Sequence, residues 1–469
     1  MNAATIIFRT EMLRMVRGRW LLPLWFAFLA LCGYAASEGA AWSKQRDAAL
    51  AAIQDEEREV HRMRRDQIVN ELTPENKARY GGAIYATAMS FRATLPQGEL
   101  PVLTAGQAEG YPMAAKIFPF VASNTIFDEY MAGMENPAVL AAGRFDLAFV
   151  LVWLLPLLVM AGSFDLWSFE RERGMEPWLL AQPVAPARYL LAKAAARALL
   201  LVGPAVLALV VALRSTSAAG PAALLQAALL SALYGLFWLG FAALVNLFAR
   251  NAAHAALGCV AGWLALVVLA PALALGVADL LAPPSSPAER TNALRAMAMQ
   301  ARAEVRQGTD AATPERVPAP NIPDSLRKRA VEVERGEQLI QAAVRPYRAQ
   351  DQRRLRWMER LRAVSPAIAF QDALERLAGA DAGRALRFQE QAHDFLLGVR
   401  RLTQRYLAHD RLLTAADYDH GMPRFVYREA PPGARLGALA ADAGVMALFL
   451  LTLAAVGVRR LRRQAFHID

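Results

Sequence analysis

The sequence predicts a mostly α-helical polytopic membrane protein with about six transmembrane helices and two largely helical extracytoplasmic domains. Three observations predict it. Hydrophobic residues make up 55% of the 469 positions and charged residues 20%, with a mean hydropathy of +0.22, so apolar and charged residues must be segregated along the chain. Several runs of about 20 residues carry almost no charge, the length a helix rising about 1.5 Å per residue needs to cross hydrocarbon. Arginines gather beside those runs, where they set orientation.

Each element follows in order. Residues 1–19 carry Arg9, Arg14, Arg17 and Arg19, with Phe8, Met12 and Met15 along one face, a stretch that the family resemblance given below implies to be a cytoplasmic interfacial helix. The first span covers 20–36, an uncharged stretch rich in Leu, Phe and Ala. Residues 37–143 form the first extracytoplasmic domain. A helix from Trp42 to Leu72 prolongs the span outward, and a loop-rich part follows because Leu95-Pro96, Tyr111-Pro112 and Phe118-Pro119 interrupt regular structure. The second span is 144–164, the loop after it 165–188, and the third span 189–213, with Lys193 and Arg197 near its start. Gly220-Pro221 marks a turn before the fourth span, 221–249; the fifth is 251–279.

Residues 280–435 form the second extracytoplasmic domain, of helical pattern. A helix is expected over 288–306, then a linker over 308–323 with four prolines, then a long charged helix from Asp324 towards Arg362. Ser365-Pro366 combines a capping hydroxyl with proline at the first helical position, and Gly379 ends that helix. Phe388, Ala392, Phe395, Val399, Leu402 and Tyr406 repeat at four-three-four spacing, the stripe of a helix packed in a core. Phe425-Val426-Tyr427 reads as a short strand. The sixth span, 436–458, contains one charge, Asp442, and a basic tail, 459–469, closes the chain.

Both ends are arginine-rich, which puts both on the cytoplasmic side and requires an even number of spans. The basic segment 280–435 lies outside despite its charge, since long loops translocate largely regardless of it. Residues 1–36 also share features with a signal peptide, a basic start, an apolar run and small residues at Gly33 and Ala35. Cleavage there would leave five spans and set the two ends on opposite faces.

Composition and motifs exclude several function classes. The net charge of +10 accompanies no nucleic-acid-binding module, so the arginines are read as span flanks and solvated helix faces and no nucleic-acid partner is expected. The phosphate-loop pattern GxxxxGK[ST] is missing, as are HExxH, GxSxG and any Cys/His cluster. No catalytic, cofactor or metal residue is therefore assigned and the chain is not read as an enzyme. Cys32 and Cys259 lie in separate apolar runs, Met297 and Met299 are too few to capture a soft metal, and His393-Asp394 and His409-Asp410 read as surface residues.

The informative stretch is the loop 165–188. Trp167, Phe169, Trp178 and Leu179 supply large apolar anchors beside Glu170, Arg171, Glu172 and Arg173, with Gly174 after them. A short amphipathic helix of this kind suits a contact with a soluble partner, the anchors filling a groove and the charges fixing register. An ordinary interfacial helix with tryptophan at the headgroups has the same composition.

The run Phe169-Glu-Arg-Glu-Arg-Gly, followed by Leu179-Leu-Ala-Gln-Pro-Val and Lys193, resembles the hallmark loop of ABC-2 type transporter permeases. Met175-Glu176-Pro177 stands where that family continues with Thr-Leu. Tyr234-Gly-Leu-Phe-Trp and Asn246-Leu-Phe-Ala-Arg-Asn fit as well. The insert before the last span, with Ser365-Pro-Ala-Ile-Ala-Phe-Gln, is similar to a branch labelled as permeases for multi-copper enzyme maturation. The resemblance implies a permease of the bacterial inner membrane, paired with a second, identical or related permease. It further implies cytoplasmic ATPase subunits that hold ATP and magnesium and couple through Trp167, Phe169, Glu170, Arg171, Glu172, Arg173 and Gly174. Export of a substrate, mechanotransmission that moves the outer domains without transport, and a membrane sensor or scaffold are the competing roles.

Overall fold

The computed structural model describes residues 3–123, 125–130, 145–182, 184–283 and 321–465, with isolated positions between 292 and 303. The helix and linker expected over 288–306 and 308–323 fall largely outside the described residues.

Helix α1, Ala3–Arg17, ends at a turn through Gly18, and α2 begins at Leu21. Helix α2 runs from Leu21 to Asp66 and continues through a π-helical turn, Gln67–Glu71. The whole rod of 51 residues is about 75 Å long at 1.5 Å per residue. Beyond it, where loop was expected, Phe91–Thr94 (β1) and Ala114–Ile117 (β2) pair antiparallel, Phe91 opposite Ile117. Both strands are only four residues long; β1 alternates as Phe-Arg-Ala-Thr but β2, Ala-Ala-Lys-Ile, does not, so the period-2 signal is too short to mark a hairpin in the sequence.

Helix α3, Leu147–Ala161, is shorter than the expected second span. The Asp146 carboxylate accepts from the Phe149 N–H at its start and Gly162 closes it. Its 15 or so residues extend about 22 Å, against about 30 Å of hydrocarbon. After two short helices in the 165–188 loop, α4 (Ser168–Glu172) and α5 (Glu176–Leu180), come α6 (Pro186–Thr216), α7 (Pro221–Phe248) and α8 (Ala252–Leu281). The far segment supplies α9 (Asp324–Leu361), α10 (Pro366–Ala378), α11 (Ala382–Ala408) and α12 (Pro432–Ala465). Among the described residues five helices, α2, α6, α7, α8 and α12, are long and apolar enough to cross a bilayer.

The two polar inserts share one hydrophobic core. Phe91, Ile117 and Ile126 from the first pack with Phe388, Leu396 and Val399 of α11. Arg400, buried on α11, donates to the carbonyls of Pro119 and Val121 and pairs with buried Glu337 at 2.9 Å. No strand forms at Phe425-Val426-Tyr427. The neighbouring Arg428 backbone bonds in both directions to the Gln391 side-chain amide, which takes the place a strand partner would hold. Two of the residues read as surface are not bare. Asp410 accepts from the Asn321 and Ile322 N–H groups just ahead of α9 and from Arg327 in its first turn, and His393 is half-buried, 3.0 Å from the Gln341 amide.

Part of the segment 280–435 enters the bundle instead of lying wholly outside it. Helix α9 descends beside α8, with Gln350 donating to the Pro283 carbonyl and Arg354 paired to Asp279 at 2.8 Å. The chain turns through Arg362–Val364, and α10 climbs back between α7 and α12. At the tip, Ser365 Oγ both caps α10 through the Ala367 N–H and donates to the Leu266 carbonyl, 2.7 Å away. Phe370 stacks on Tyr234 with ring centroids 4.2 Å apart. Leu266 and Tyr234 stand at the midpoints of α8 and α7, so the hairpin reaches halfway along the apolar helices. Its depth is made possible by π-helical turns at Val150–Leu154 and Leu264–Leu269. Such turns displace carbonyls from the regular ladder, and those of Val152, Trp153 and Leu266 are met by Tyr234 Oη, Trp263 Nε1 and Ser365 Oγ. Away from water each would otherwise be costly.

Candidate functional site

At the opposite end of the bundle from the hairpin, the loop 165–188 is tied to its surroundings by buried polar contacts. The α7 side chain of Asn246 begins the structure. Its Oδ1 accepts from the backbone N–H groups of Trp167 and Ser168 and from Ser168 Oγ, while its Nδ2 donates to the carbonyls of Ser163 and Ala242. A single buried amide thus caps α4 from a neighbouring helix, satisfying donors that a helix start leaves open.

Helix α4 ends at Gly174, whose φ of +68° is left-handed. The Met175 N–H reaches the Glu170 carbonyl and the Gly174 N–H that of Arg171, a Schellman closure. A Cβ at 174 would meet no neighbour, so the backbone conformation alone calls for glycine. Met175-Glu176-Pro177 then opens the second short helix, α5, with proline in its first turn.

Beneath these helices lies a network of six charges. Lys193 Nζ donates to Glu170 Oε1 at 2.6 Å and to the Leu166 carbonyl at 2.7 Å. Arg197 bonds Glu11 through Nε at 2.8 Å, Asp165 at 2.6 Å and the Gly162 carbonyl. Arg14 adds a second bond to Asp165 at 2.9 Å. Three carboxylates face three cations, so the cluster carries no net charge and joins α1, the loop and α6. Burial alone would raise the Asp165 carboxyl, but Arg197, then Arg14, hold it below the usual carboxylate range. Glu176 is likewise lowered, first by its bonds from Arg171 at 2.6 and 2.7 Å and also by Trp167 Nε1 at 2.9 Å.

The structure divides the sequence-selected residues into two groups. Trp167 and Glu170 are buried, 1% and 4% exposed, so neither is presented to a partner; they hold the loop from within. Arg171 is committed to Glu176 and the Ala249 carbonyl. The exposed Glu172 carboxylate accepts from the Ala252 N–H at the start of α8. Phe169 is sandwiched between the guanidinium groups of Arg14 and Arg173, 3.8 and 3.9 Å from its centroid. What faces outward is Arg173, Gly174, Met175 and above all Trp178, 71% exposed. Beside Trp178 an apolar groove of about 260 Å³ runs between α1 and the loop, lined by Ile6, Ile7, Leu179, Val184 and Tyr189.

Sequence reasoning missed Glu11, the anionic centre of α1. Its signal was present: Glu11 is the one carboxylate in the first 37 residues, in a stretch otherwise basic and apolar. Lys193 and Arg197, four apart at the start of an apolar helix, point to buried partners by the same logic, because such charges are tolerated only when paired.

The build is that of a polytopic helical membrane protein, with its charges gathered at the loop end and in a far hairpin. Residues 325–428, from α9 through α11, match the family model described as Domain of unknown function (DUF3526). No curated protein matches the chain.

Proposed function

We propose that this chain is the transmembrane permease subunit of an ATP-binding-cassette transporter of ABC-2 type in the bacterial inner membrane, exporter-like and driven by a separate ATPase subunit. The carrying observation is the pair of short helices α4 and α5, anchored from below by Lys193 and Asn246 while Trp178 stands exposed over an apolar groove. A rigid lever with a large aromatic at its tip transmits force from a soluble partner, because aromatic anchors in grooves dominate interface energy. In this reading the loop and both chain ends face the cytoplasm, ATP and magnesium are held by the partner, and a second permease completes the transporter. The test is co-purification with a phosphate-loop ATPase, with Trp178→Glu abolishing the association while the permease is still made and inserted.

A second reading, mechanotransmission, draws on the continuity of α2. One unbroken helix joins the apolar bundle to the shared core of the two inserts, so tilting the bundle end must displace the far body. Substrate-dependent accumulation in vesicles separates the two readings: ATP turnover with movement of the far body and no accumulation favours the second.

A further inference from the structure

The α9–α10 hairpin leaves a cavity of about 820 Å³ beside it, walled by α7, α10 and the start of α12. Behind its wall lies Asp442, fully buried on α12, which takes Arg362 at 3.1 Å and also Arg376. Both arginine side chains remain partly exposed, 20% and 16%, and both line the cavity. Gly240 lies against Leu450 and Leu453, and Gly457 against Leu244 and Leu247, so α7 and α12 run parallel in register. Asp442 therefore sits level with Ser231, about 15 Å below the α7 start at 1.5 Å per residue. Charges at that depth are not tolerated against lipid. With water taking about 30 Å³ each, a cavity of this size with charged groups on its wall has room for an aqueous vestibule.

Its walls are of two kinds. Ala222, Ala223, Leu436 and Ala438 make one side apolar, continuous with Leu225 and Leu436, 59% and 53% exposed on the bundle surface. The opposite side is ionic. Arg384 is paired to Glu429, and Arg435 to Glu99, while the Asp442 triad occupies two further arginines. Outside these pairs Glu375 accepts from Gln371 Nε2 and Asp381 caps α11 through the Arg384 N–H; the wall further presents Glu359, Asp372 and Arg387, and Arg387 Nε is buried without a hydrogen-bond partner among the described residues. Groups of both signs face the water while an apolar seam opens to the side.

We infer that this vestibule is a binding site for an amphiphile with a zwitterionic headgroup, the head between Arg387 and the Asp372/Glu359 carboxylates and the apolar part along the α7–α12 seam. A purely anionic head would meet the Glu359 and Asp372 carboxylates, and a purely cationic one would give the Arg387 guanidinium, which meets the neutral Tyr427 hydroxyl, no counter-charge. The site requires nothing of the loop at the other end of the bundle, so it stands or falls separately from the ATPase reading.

The experiment uses the full chain and a charged thiol reagent supplied to both faces, which makes orientation irrelevant. Cys32 and Cys259 are buried and give a low background. Gln226→Cys and Ala438→Cys, inside the vestibule, are modified, while Leu229→Cys, 60% exposed on the bundle surface, is not. Dihexanoyl phosphatidylcholine slows modification at 438 by at least about tenfold, a difference near 1.4 kcal/mol, and dihexanoyl phosphatidylglycerol does not. The double variant Arg387→Gln with Asp372→Asn loses the protection while 438 stays reactive. Unreactive cysteines at 226 and 438 overturn the vestibule; equal protection by both lipids, or protection that survives the double variant, overturns the headgroup assignment.

Discussion

Lys193 Nζ lies 2.6 Å from Glu170 Oε1, and both side chains are sealed from solvent at 2% and 6% exposure. One residue belongs to a charged loop and the other to an apolar helix, so this bond is one of the points at which the loop is fastened to the bundle. Removing one partner of such a pair leaves an uncompensated buried charge and costs about 3–5 kcal/mol.

Charge reversal therefore separates Glu170 from Glu172, although the sequence presents them alike. Glu170→Lys lowers thermal stability in detergent sharply, and Glu170→Lys with Lys193→Glu recovers part of the loss. Glu172→Lys, at an exposed position, changes the melting temperature little. Equal melting temperatures for the two single reversals would remove the Lys193 pair from the account.

Trp178 is 71% exposed at the edge of the apolar groove. Trp178→Ala stays within about 0.5 kcal/mol of the parent in stability, as surface substitutions do, but loses retention of the ATPase on affinity purification. Undiminished retention would move the docking face elsewhere.

Asn246→Ala strips α4 of its cap and strands the buried N–H groups of Trp167 and Ser168, at about 1–3 kcal/mol for each group left unsatisfied. Hydrogen exchange across 167–172 accelerates in this variant while exchange in α11 is unchanged. Uniform acceleration of both regions would mean a general loss of packing.

The loop is also pH-sensitive, with a definite sign. The Glu176 carboxyl is held below its usual range, chiefly by Arg171, so its stabilisation is complete above the ordinary carboxylate range. It is lost as pH falls through the lowered native value. Exchange of the 171–176 amides, corrected for intrinsic rate, stays flat from neutral pH into the ordinary carboxylate range and rises below it. In Glu176→Gln it is raised already at neutral pH and lacks that transition.

Gly174→Ala places a side chain at φ +68° and costs about 1 kcal/mol through backbone strain, since no neighbour obstructs it. A loss several times larger would show that space, and not conformation, selects glycine there.

How much of this was legible in the sequence depends on range. The apolar helices, the Ser365 cap, the Gly379 stop and the α11 stripe are written in local spacing, and the structure places Ser365 and Gly379 at the two ends of α10. The loop was singled out from its composition, but the burial of Trp167 and Glu170 was not foreseen. Trp167 and Glu170 look like their exposed neighbours until Asn246 and Lys193, 79 and 23 residues away, are folded against them. The hairpin was illegible for the same reason. A stretch as charged as Arg353 to Arg362 reads as solvated, and only its partners Asp279 and Asp442 reveal that it enters the bundle.

The position of that hairpin dictates an order of assembly. Ser365 must find the Leu266 carbonyl, and Arg362 and Arg376 must find Asp442, yet Asp442 is synthesised last, in the final long helix. The polar hairpin cannot be threaded through lipid with its charges unmet, so it must wait in water until α12 has been delivered. The bundle then closes around it from the side. Biogenesis of this protein thus includes a docking event after α12 has been made, and a chain truncated before residue 432 would insert its earlier helices but leave the hairpin undocked.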